Sequence, residues 1–320
     1  MDPVETLFSL RSDQLGFRPV FMLGNTYGRC SYDCRFCGAK AHESVTPAES
    51  ARRFRFLWNK YEPLLGGPYH PVIYNEGNVT NPVEFPRELL DEILEFFRND
   101  PRVRYVSLNS REHDATGTLL QQLRERDYPF PIHFIFGLES SSPSAERILG
   151  KNADPELTRF VDKLLVYDKP LHAGGKGCLR CFGLDVNLLF LPELYLEEGE
   201  PRGHADSIRR GMERDLARAL SAGERGVPVQ INIHPYHRVD ALPFENADLS
   251  DLFNVLPQLQ SIVDRHNEKH GQNPVHIFIG IEGKGYTTDY WREQTHRWGE
   301  LIEVYNTTGH IRLNPGGRGT

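Results

Sequence analysis

Short apolar runs alternate with longer amphipathic stretches along most of the chain. The apolar runs are rich in Val, Ile, Phe or Leu on both faces, which is typical of buried parallel strands. They predict strands at Val20–Thr26, Val72–Asn75, Val103–Leu108, His133–Leu138, Val186–Leu191 and Val229–His234. The stretches that follow them have a helical period and predict helices at Pro47–Tyr61, Arg87–Asn99, Thr116–Arg126, Pro155–Tyr167, His204–Ala222 and Leu249–Lys269.

The order of these elements predicts an α/β fold. Six strand-then-helix units favour a parallel sheet, and right-handed crossovers would curl it into a partial (β/α)6 TIM-like barrel. A seventh strand at Val275–Ile279 and a helix near Thr288–Leu301 come after the sixth unit. We therefore predict a barrel with an N-terminal lead-in over residues 1–245, and a C-terminal strand–helix extension over residues 246–320 that packs on it.

The composition restricts the classes of partner. The 44 acidic residues outnumber the 37 Lys and Arg, so the net charge is −7 and the chain as a whole lacks the basic footprint of a nucleic-acid-binding protein. No apolar run reaches the length of about 18 residues that a membrane span needs, and the N-terminus has no signal-peptide pattern. We expect a cytoplasmic protein without a membrane partner, and the net charge disfavours a nucleic-acid partner.

Three of the five cysteines, Cys30, Cys34 and Cys37, lie in the short stretch GRCSYDCRFCGA. The loop that carries them follows the first predicted strand, at the edge where parallel barrels place their active sites. Charged neighbours argue against three buried structural residues. A zinc site would need a fourth ligand, for which His42 is available. An iron–sulfur cluster bound by three thiolates would instead leave one iron open to a substrate or cosubstrate.

The spacing C-x3-C-x2-C, with the aromatic Phe36 just before the last cysteine, resembles the signature of the radical S-adenosylmethionine superfamily. The resemblance implies a [4Fe-4S] cluster on Cys30, Cys34 and Cys37, whose open iron chelates S-adenosylmethionine. It implies reductive cleavage of this cosubstrate to methionine and a 5′-deoxyadenosyl radical, which abstracts hydrogen from a substrate carbon. It also implies an electron donor such as a flavodoxin, a ferredoxin or a chemical reductant. The superfamily typically has a partial barrel of strand–helix units.

Further motifs extend the resemblance over residues 20 to 245. IYNEGNVTNP (73–82), SLNSRE (107–112) and GLESSSPSAERILGKN (137–152) are similar to the motifs that follow strands 2, 3 and 4 of the elongator catalytic subunit and the archaeosine-synthase radical enzyme. NLLFLPELYLEE and INIHPY resemble the fifth and sixth strands of the same proteins. Within the superfamily, the chain therefore resembles this subgroup.

The resemblance implies cosubstrate contacts at the ends of several strands. The predicted cofactor-binding residues are Phe36, Glu76, Asn78, Ser110, Arg111, Glu139 and Asn187. Phe36 would pack near the adenine, and Glu76 would accept hydrogen bonds from the ammonium of S-adenosylmethionine. Arg111 would neutralise its carboxylate, and Glu139 would hold the ribose hydroxyls. Each residue also has an ordinary interpretation as loop filler, a strand-end turn, a surface arginine or a helix N-cap.

Polar residues also occur within and after the last two predicted strands of the barrel. Asn187 and Asn232 would need polar partners if they face inward. His234 ends the sixth strand on the functional edge and is a predicted catalytic or substrate-contacting residue, as an alternative to an ordinary strand-end histidine.

A second thiol pair, Cys178 and Cys181, lies in the Gly-rich stretch HAGGKGCLRCFG before the fifth strand. Two neighbouring thiolates suit soft acceptors such as trivalent arsenic or cuprous copper. The pair could also be a redox pair, half of a zinc site shared by two chains, or two structural cysteines. We predict a catalytic role for it, although its loop enters a strand and would start from the opposite rim of the barrel.

Four functions remain open from the sequence. The leading hypothesis is hydrogen abstraction from a small polar substrate. A second is transfer of a 3-amino-3-carboxypropyl group from S-adenosylmethionine to an acceptor such as arsenite bound by Cys178 and Cys181, as in the natural-product biosynthesis of arsinothricin. The others are tRNA base modification and a non-enzymatic zinc-binding barrel.

Overall fold

A computed structural model of the protein describes residues 8–26, 28, 30–32, 34–37, 44–75, 77–151, 153–168, 170–171, 179–196, 204–271, 273–281 and 288–310. The strands are β1 Phe8–Asp13, β2 Gly16–Met22, β3 Val72–Tyr74, β4 Val106–Ser110, β5 Ile132–Glu139, β6 Pro170–Leu171, β7 Leu179–Arg180, β8 Phe182–Phe190, β9 Val229–Pro235 and β10 Ile277–Ile279. The helices are α1 Pro47–Tyr61, α2 Arg87–Phe97, α3 Gly117–Arg126, α4 Ala145–Leu149, α5 Asp154–Tyr167, α6 Ala205–Glu224, α7 Leu249–His270 and α8 Asp289–Thr308. Short 3-10 turns cover Glu62–Leu64 and Pro192–Leu194.

Within the described residues, eight strands form one sheet in the order β1-β2-β3-β4-β5-β8-β9-β10. β1 and β2 pair antiparallel, and every other neighbouring pair in this sheet is parallel. Arg18 on β2 donates a hydrogen bond of 3.0 Å to Asn232 on β9, although four strands lie between them. This contact shows that the sheet curls strongly. Helix α8 packs against both edge strands, β1 and β10. The predicted partial TIM-like barrel is confirmed.

The two faces of the barrel sheet differ in polarity, which the sequence did not predict. The outer face is apolar and packs under the helices, with Phe21, Ile73, Val106, Leu108, Phe134, Phe136, Leu184, Val186, Ile231 and Ile277 all buried. The inner face carries polar side chains that pair with one another. Ser107 donates to Asp185 at 2.5 Å, and the His133 ring lies 2.8 Å from the same carboxylate. Mutual pairing makes the burial of these groups possible, because a buried polar group needs a partner.

The helix boundaries follow local signals closely. Helix α1 occupies the predicted range Pro47–Tyr61, and the Thr46 hydroxyl accepts a hydrogen bond of 3.2 Å from the backbone N–H of Glu49 at its start. The short helix α4 was not predicted, because five residues show too little of a helical period. No described helix combines the length and the apolar character needed to cross a membrane.

The ends of the sheet contain the main departures from the sequence prediction. The lead-in contains the strand β1, whose alternation of half-buried apolar and polar residues suits an edge strand. The first predicted strand begins earlier, at Gly16, and ends at Met22, since Gly24 turns the chain with φ +86°. At the other end, β10 pairs in parallel with β9, so the predicted C-terminal segment adds a strand to the same sheet.

Candidate active site

The three clustered cysteines lie in the loop that leaves the carboxyl end of β2. Cys30, Cys34 and Cys37 are each half-buried, and none forms a disulfide bond. The backbone N–H of Cys37 donates to the Cys34 carbonyl at 3.2 Å, which makes a tight turn between the last two thiols. The loop is therefore at the edge of the barrel where parallel strands end, as the sequence predicts.

A buried glutamate that was not among the predicted site residues connects this loop to the loop that follows β3. Glu84 is fully buried and accepts hydrogen bonds from the backbone N–H of Ser31 at 2.8 Å and of Asn78 at 2.7 Å. It also accepts from the side-chain amide of Asn25 at 3.1 Å. One carboxylate thus joins the cysteine loop to the loop that follows β3.

The environment of Cys30 disfavours an isolated thiolate. Burial raises the pKa of this thiol to about 11, and the charges of Glu84, Cys37 and Cys34 add to that rise, whereas the backbone N–H of Tyr32 lowers it. A bound cation would offset this repulsion, because metals bind the thiolate form. Three half-buried free thiols on one loop are the donor set that an iron–sulfur cluster held by three cysteines would need. His42, the fourth ligand that the zinc alternative requires, lies outside the described residues.

Arg111, at the carboxyl end of β4, lies beside the cysteine loop. One terminal nitrogen of its guanidinium donates to the Cys34 sulfur at 3.5 Å, and the other donates to Glu156 at 3.3 Å. The guanidinium carbon is 4.3 Å from the centre of the Tyr32 ring. A partly buried cation thus adjoins the thiols, and its predicted role in neutralising a carboxylate stays a prediction.

Glu139 and Phe36, the residues predicted at the ribose and the adenine, are both neighbours of Lys151. The Lys151 ammonium donates to Glu139 at 3.1 Å and lies 5.8 Å from the centre of the Phe36 ring. Glu139 ends β5 in the left-handed region at φ +62°, a conformation that costs a non-glycine residue about 1 kcal/mol or more and recurs at functional sites. Lys151 was not a predicted site residue, although it belongs to the GKN end of the third motif.

The motifs that follow β3 and β4 meet at the same edge. The backbone N–H of Val79 donates to the Asn109 carbonyl at 3.0 Å, and the Ser110 hydroxyl lies 2.8 Å from that of Thr80. Asn78 is buried and is held by Glu84. Glu76, predicted to bind the ammonium of the cosubstrate, lies outside the described residues.

The barrel interior below this edge is lined by the predicted polar residues of the last strands. Asn232 donates to Asn187 at 2.9 Å and accepts from Arg18 at 3.0 Å, so these inward-facing amides have the partners that burial requires. His234 is half-buried at the carboxyl end of β9. Burial, together with the neighbouring His234, lowers the pKa of His237.

Cys181, the described member of the second thiol pair, does not lie with the three clustered cysteines. Cys181 is buried at the amino end of β8, where its sulfur donates to Asp168 at 3.3 Å and its carbonyl accepts from Ile132. The nine residues of β8 separate it from the opposite edge by roughly 27 Å. Cys178 lies outside the described residues, and the catalytic role of the pair stays a prediction.

Comparison with known proteins identifies structural neighbours only. No family model and no curated protein matches the chain. A radical SAM methyltransferase from Sphaerobacter thermophilus is 12% identical with a TM-score of 0.47, over 82% of this chain and 66% of that chain. Native anSMEcpe with bound AdoMet and the Kp18Cys peptide is 9% identical with a TM-score of 0.50, over 92% of this chain and 68% of that chain. The second likeness shows a shared fold, and the chain spans about two thirds of the length of each neighbour.

Proposed function

We propose that the protein is a radical S-adenosylmethionine enzyme that abstracts a hydrogen atom from a small polar substrate. The observation that carries this proposal is the loop after β2, where Cys30, Cys34 and Cys37 lie at the carboxyl edge of a partial barrel. The fold shared with anSMEcpe, which has bound AdoMet, is consistent with this class of reaction.

In this proposal the three thiolates bind a [4Fe-4S] cluster. When bound, that group supplies one open iron and one electron from an external donor such as a flavodoxin or a ferredoxin, which cleaves a C–S bond of S-adenosylmethionine. Methionine would leave, and the resulting 5′-deoxyadenosyl radical would take a hydrogen atom from a substrate C–H bond and become 5′-deoxyadenosine. The substrate is left as a carbon radical.

The protein's own residues would bind and orient the cosubstrate. The Arg111 guanidinium contacts the Cys34 sulfur, so it can pair with a carboxylate bound beside that thiol. Glu139 has a second carboxylate oxygen besides the one that Lys151 contacts, and a diol can donate to it. Phe36 lies beside Lys151 and offers an apolar ring for the adenine.

The polar side chains inside the barrel favour a polar substrate. Asn187, Asn232 and Arg18 form a hydrogen-bonded row across the inner face, below the edge that carries the cysteines. Buried amides and a guanidinium favour ligands with hydroxyl, amide or carboxylate groups, since these groups can exchange hydrogen bonds with them. The net charge of −7 gives no support to tRNA as the substrate.

Hydrogen abstraction is favoured over transfer of the aminocarboxypropyl group. That transfer requires an acceptor next to the cosubstrate, and the predicted acceptor site includes Cys181. Since Cys181 is buried at the amino end of β8 and bonded to Asp168, an acceptor held there would be far from the three clustered thiols.

The test is anaerobic reconstitution with iron and sulfide, followed by reduction with S-adenosylmethionine present and mass spectrometry of the adenosine product. We expect about four irons and four sulfides per chain and slow formation of 5′-deoxyadenosine. The triple variant C30A/C34A/C37A should bind no cluster iron and form no product. A matched control for cluster binding is Cys181→Ala, which removes a thiol at the other end of the barrel and should retain the iron.

Three outcomes would contradict the proposal in different ways. Zinc without labile sulfide would favour a zinc-binding barrel. Methylthioadenosine in place of 5′-deoxyadenosine would favour aminocarboxypropyl transfer. Equal iron in the triple variant and the wild type would show that the iron is bound elsewhere.

A further inference from the structure

We propose that Glu224, His266 and His270 form a second metal site, separate from the cysteine loop, which binds a divalent ion such as Zn²⁺. One imidazole nitrogen from each histidine and one carboxylate oxygen of Glu224 all lie within 4.8 Å of one another. Two imidazoles and a carboxylate are a ligand set that zinc uses, with a water molecule in the fourth position.

All three ligands lie on helices. His266 and His270 are four residues apart in the last turns of α7, so both rings project from one face. Their centroids are 4.7 Å apart at an interplanar angle of 35°. Glu224 is the last residue of α6, which packs along α7. The end of α7 is held in place, because the Asn267 side chain bonds both the N–H and the carbonyl of Val275, at 2.8 and 2.9 Å.

The electrostatics of this position favour a cation. Both α6 and α7 end here, and the carboxyl end of a helix carries a partial negative charge, although the Ala222 and Gly223 carbonyls of α6 accept backbone hydrogen bonds. The Glu224 carboxylate adds to this negative potential. Lys269, next to His270, opposes it with one positive charge, so the attraction to a divalent ion rests on the carboxylate and on the two helix ends together.

A second observation points independently to a ligand. The Nε2 atom of His270 is buried and has no hydrogen-bond partner among the described residues. A buried ring nitrogen without a partner is rare in proteins and calls for an explanation such as an ion, and a metal bond would satisfy it. In a tetrahedral zinc site the ligand atoms lie about 3.4 Å apart. The exposed Glu224 side chain can close this distance by rotation, because solvent surrounds it.

The site is distant from the proposed chemistry. It lies at the carboxyl ends of α6 and α7, and Val229 begins β9 only a few residues after Glu224, so the site is near the amino edge of the sheet. The cysteines are at the carboxyl edge. The expected effect of the ion is therefore to link the two helices and raise the stability of the folded chain, since an ion that binds only the folded state stabilises it.

The test is titration of cluster-loaded protein with ZnCl₂ under anaerobic conditions, followed by calorimetry and by the thermal unfolding midpoint. We expect one binding event that raises the midpoint and that remains in the C30A/C34A/C37A variant. The double variant H266Q/H270Q should lose this event and the shift, whereas the matched control His296→Gln, an exposed histidine on α8, should keep both.

Glu224→Gln is the second arm of the test, because an exposed side chain can be changed without disturbing the fold. It should weaken the affinity for Zn²⁺ by more than about tenfold. Binding of equal affinity in H266Q/H270Q, loss of the event in the triple cysteine variant, or no binding by the wild type would each overturn the proposal. None of these results depends on turnover of S-adenosylmethionine, so the metal site and the proposed function are tested independently.

Discussion

Lys151 donates a hydrogen bond of 3.1 Å to Glu139, and the two side chains are only 6% and 11% exposed. The pair links the end of β5, in its left-handed conformation, to the segment after α4. The same ammonium faces the Phe36 ring in the cysteine loop. A single buried cation thereby connects two of the predicted cosubstrate-binding residues.

Lys151→Met should destabilise the protein by about 3–5 kcal/mol, because it leaves the buried Glu139 charge without its partner. The free energy of unfolding in urea measures this loss. The double variant E139Q/K151M should recover part of it, since no lone charge remains buried. Equal stability of the single variant and the wild type would show that the pair contributes nothing to the fold.

Glu84→Gln should lower the iron content after reconstitution and cost at least about 2 kcal/mol of unfolding free energy. The glutamate accepts from four donors, two backbone N–H groups and the side-chain amides of Asn25 and Asn81, which an amide cannot all satisfy. An unsatisfied buried donor costs about 1–3 kcal/mol. The matched control is Glu88→Gln, the same change on the exposed side of α2. Wild-type iron content in Glu84→Gln would contradict its role in positioning the cysteine loop.

Arg111→Lys should weaken the binding of S-adenosylmethionine by about tenfold or more, as expected for the loss of a hydrogen bond to a charged group. Lysine keeps the positive charge but has no planar guanidinium, so it cannot contact Cys34 and Glu156 at the same time. Equilibrium dialysis against the cosubstrate measures the change. Arg147→Lys, an exposed arginine on α4, is the control, and an equal loss in both variants would be evidence against a specific contact.

Two carboxylates that each pair with a histidine, Asp185 and Asp13, predict how the free energy of unfolding depends on pH. Burial alone would raise the pKa of Asp185, but its hydrogen bond to His133 and the charges of His133 and Arg18 outweigh burial and lower it. The pKa of Asp13 is lowered in the same way. Burial would raise it, but the effects of His70 and Arg18 outweigh burial. Such carboxylates contribute stability that is fully present above their usual pKa of about 4 and is lost as the pH falls through the lower folded value.

We therefore expect the unfolding free energy to fall steeply below about pH 4. Asp185→Asn should be less stable at pH 7, because its partners His133 and Ser107 lose a charged acceptor, and should show a shallower loss in acid. Asp206→Asn, at an exposed position on α6, should keep the wild-type slope. The same slope in Asp185→Asn would show that the acid sensitivity comes from other groups.

Cys181→Ala tests the catalytic role that the sequence predicts for the second thiol pair. We expect the iron content of the wild type and a stability loss of about 1 kcal/mol, since one hydrogen bond to Asp168 disappears. Loss of substrate turnover at full iron content would support the predicted catalytic role. Loss of iron would contradict the assignment of the cluster to Cys30, Cys34 and Cys37.

Local patterns were sufficient for most of the barrel. The apolar runs predicted six parallel strands, and the helical period predicted both ends of α1. Each of these elements is specified by neighbours a few residues away along the chain. The edge strand β1 was not predicted, since it is half-buried and lacks a continuous apolar run. The pairing of β10 with β9 was not predicted either, because the order of strands in a sheet is not a property of either segment alone.

The sequence by itself determined the barrel class and the placement of three thiols on one loop, because both depend on periodicity and short spacings. Only the tertiary structure decided which polar residues serve that loop. Glu84 reaches Ser31 across 53 positions, and Arg18 reaches Asn232 across 214. It also decided that Cys181 lies at the far end of β8 from the other thiols. Such contacts follow from how the strands are ordered and curled, and no local pattern of residues encodes that order.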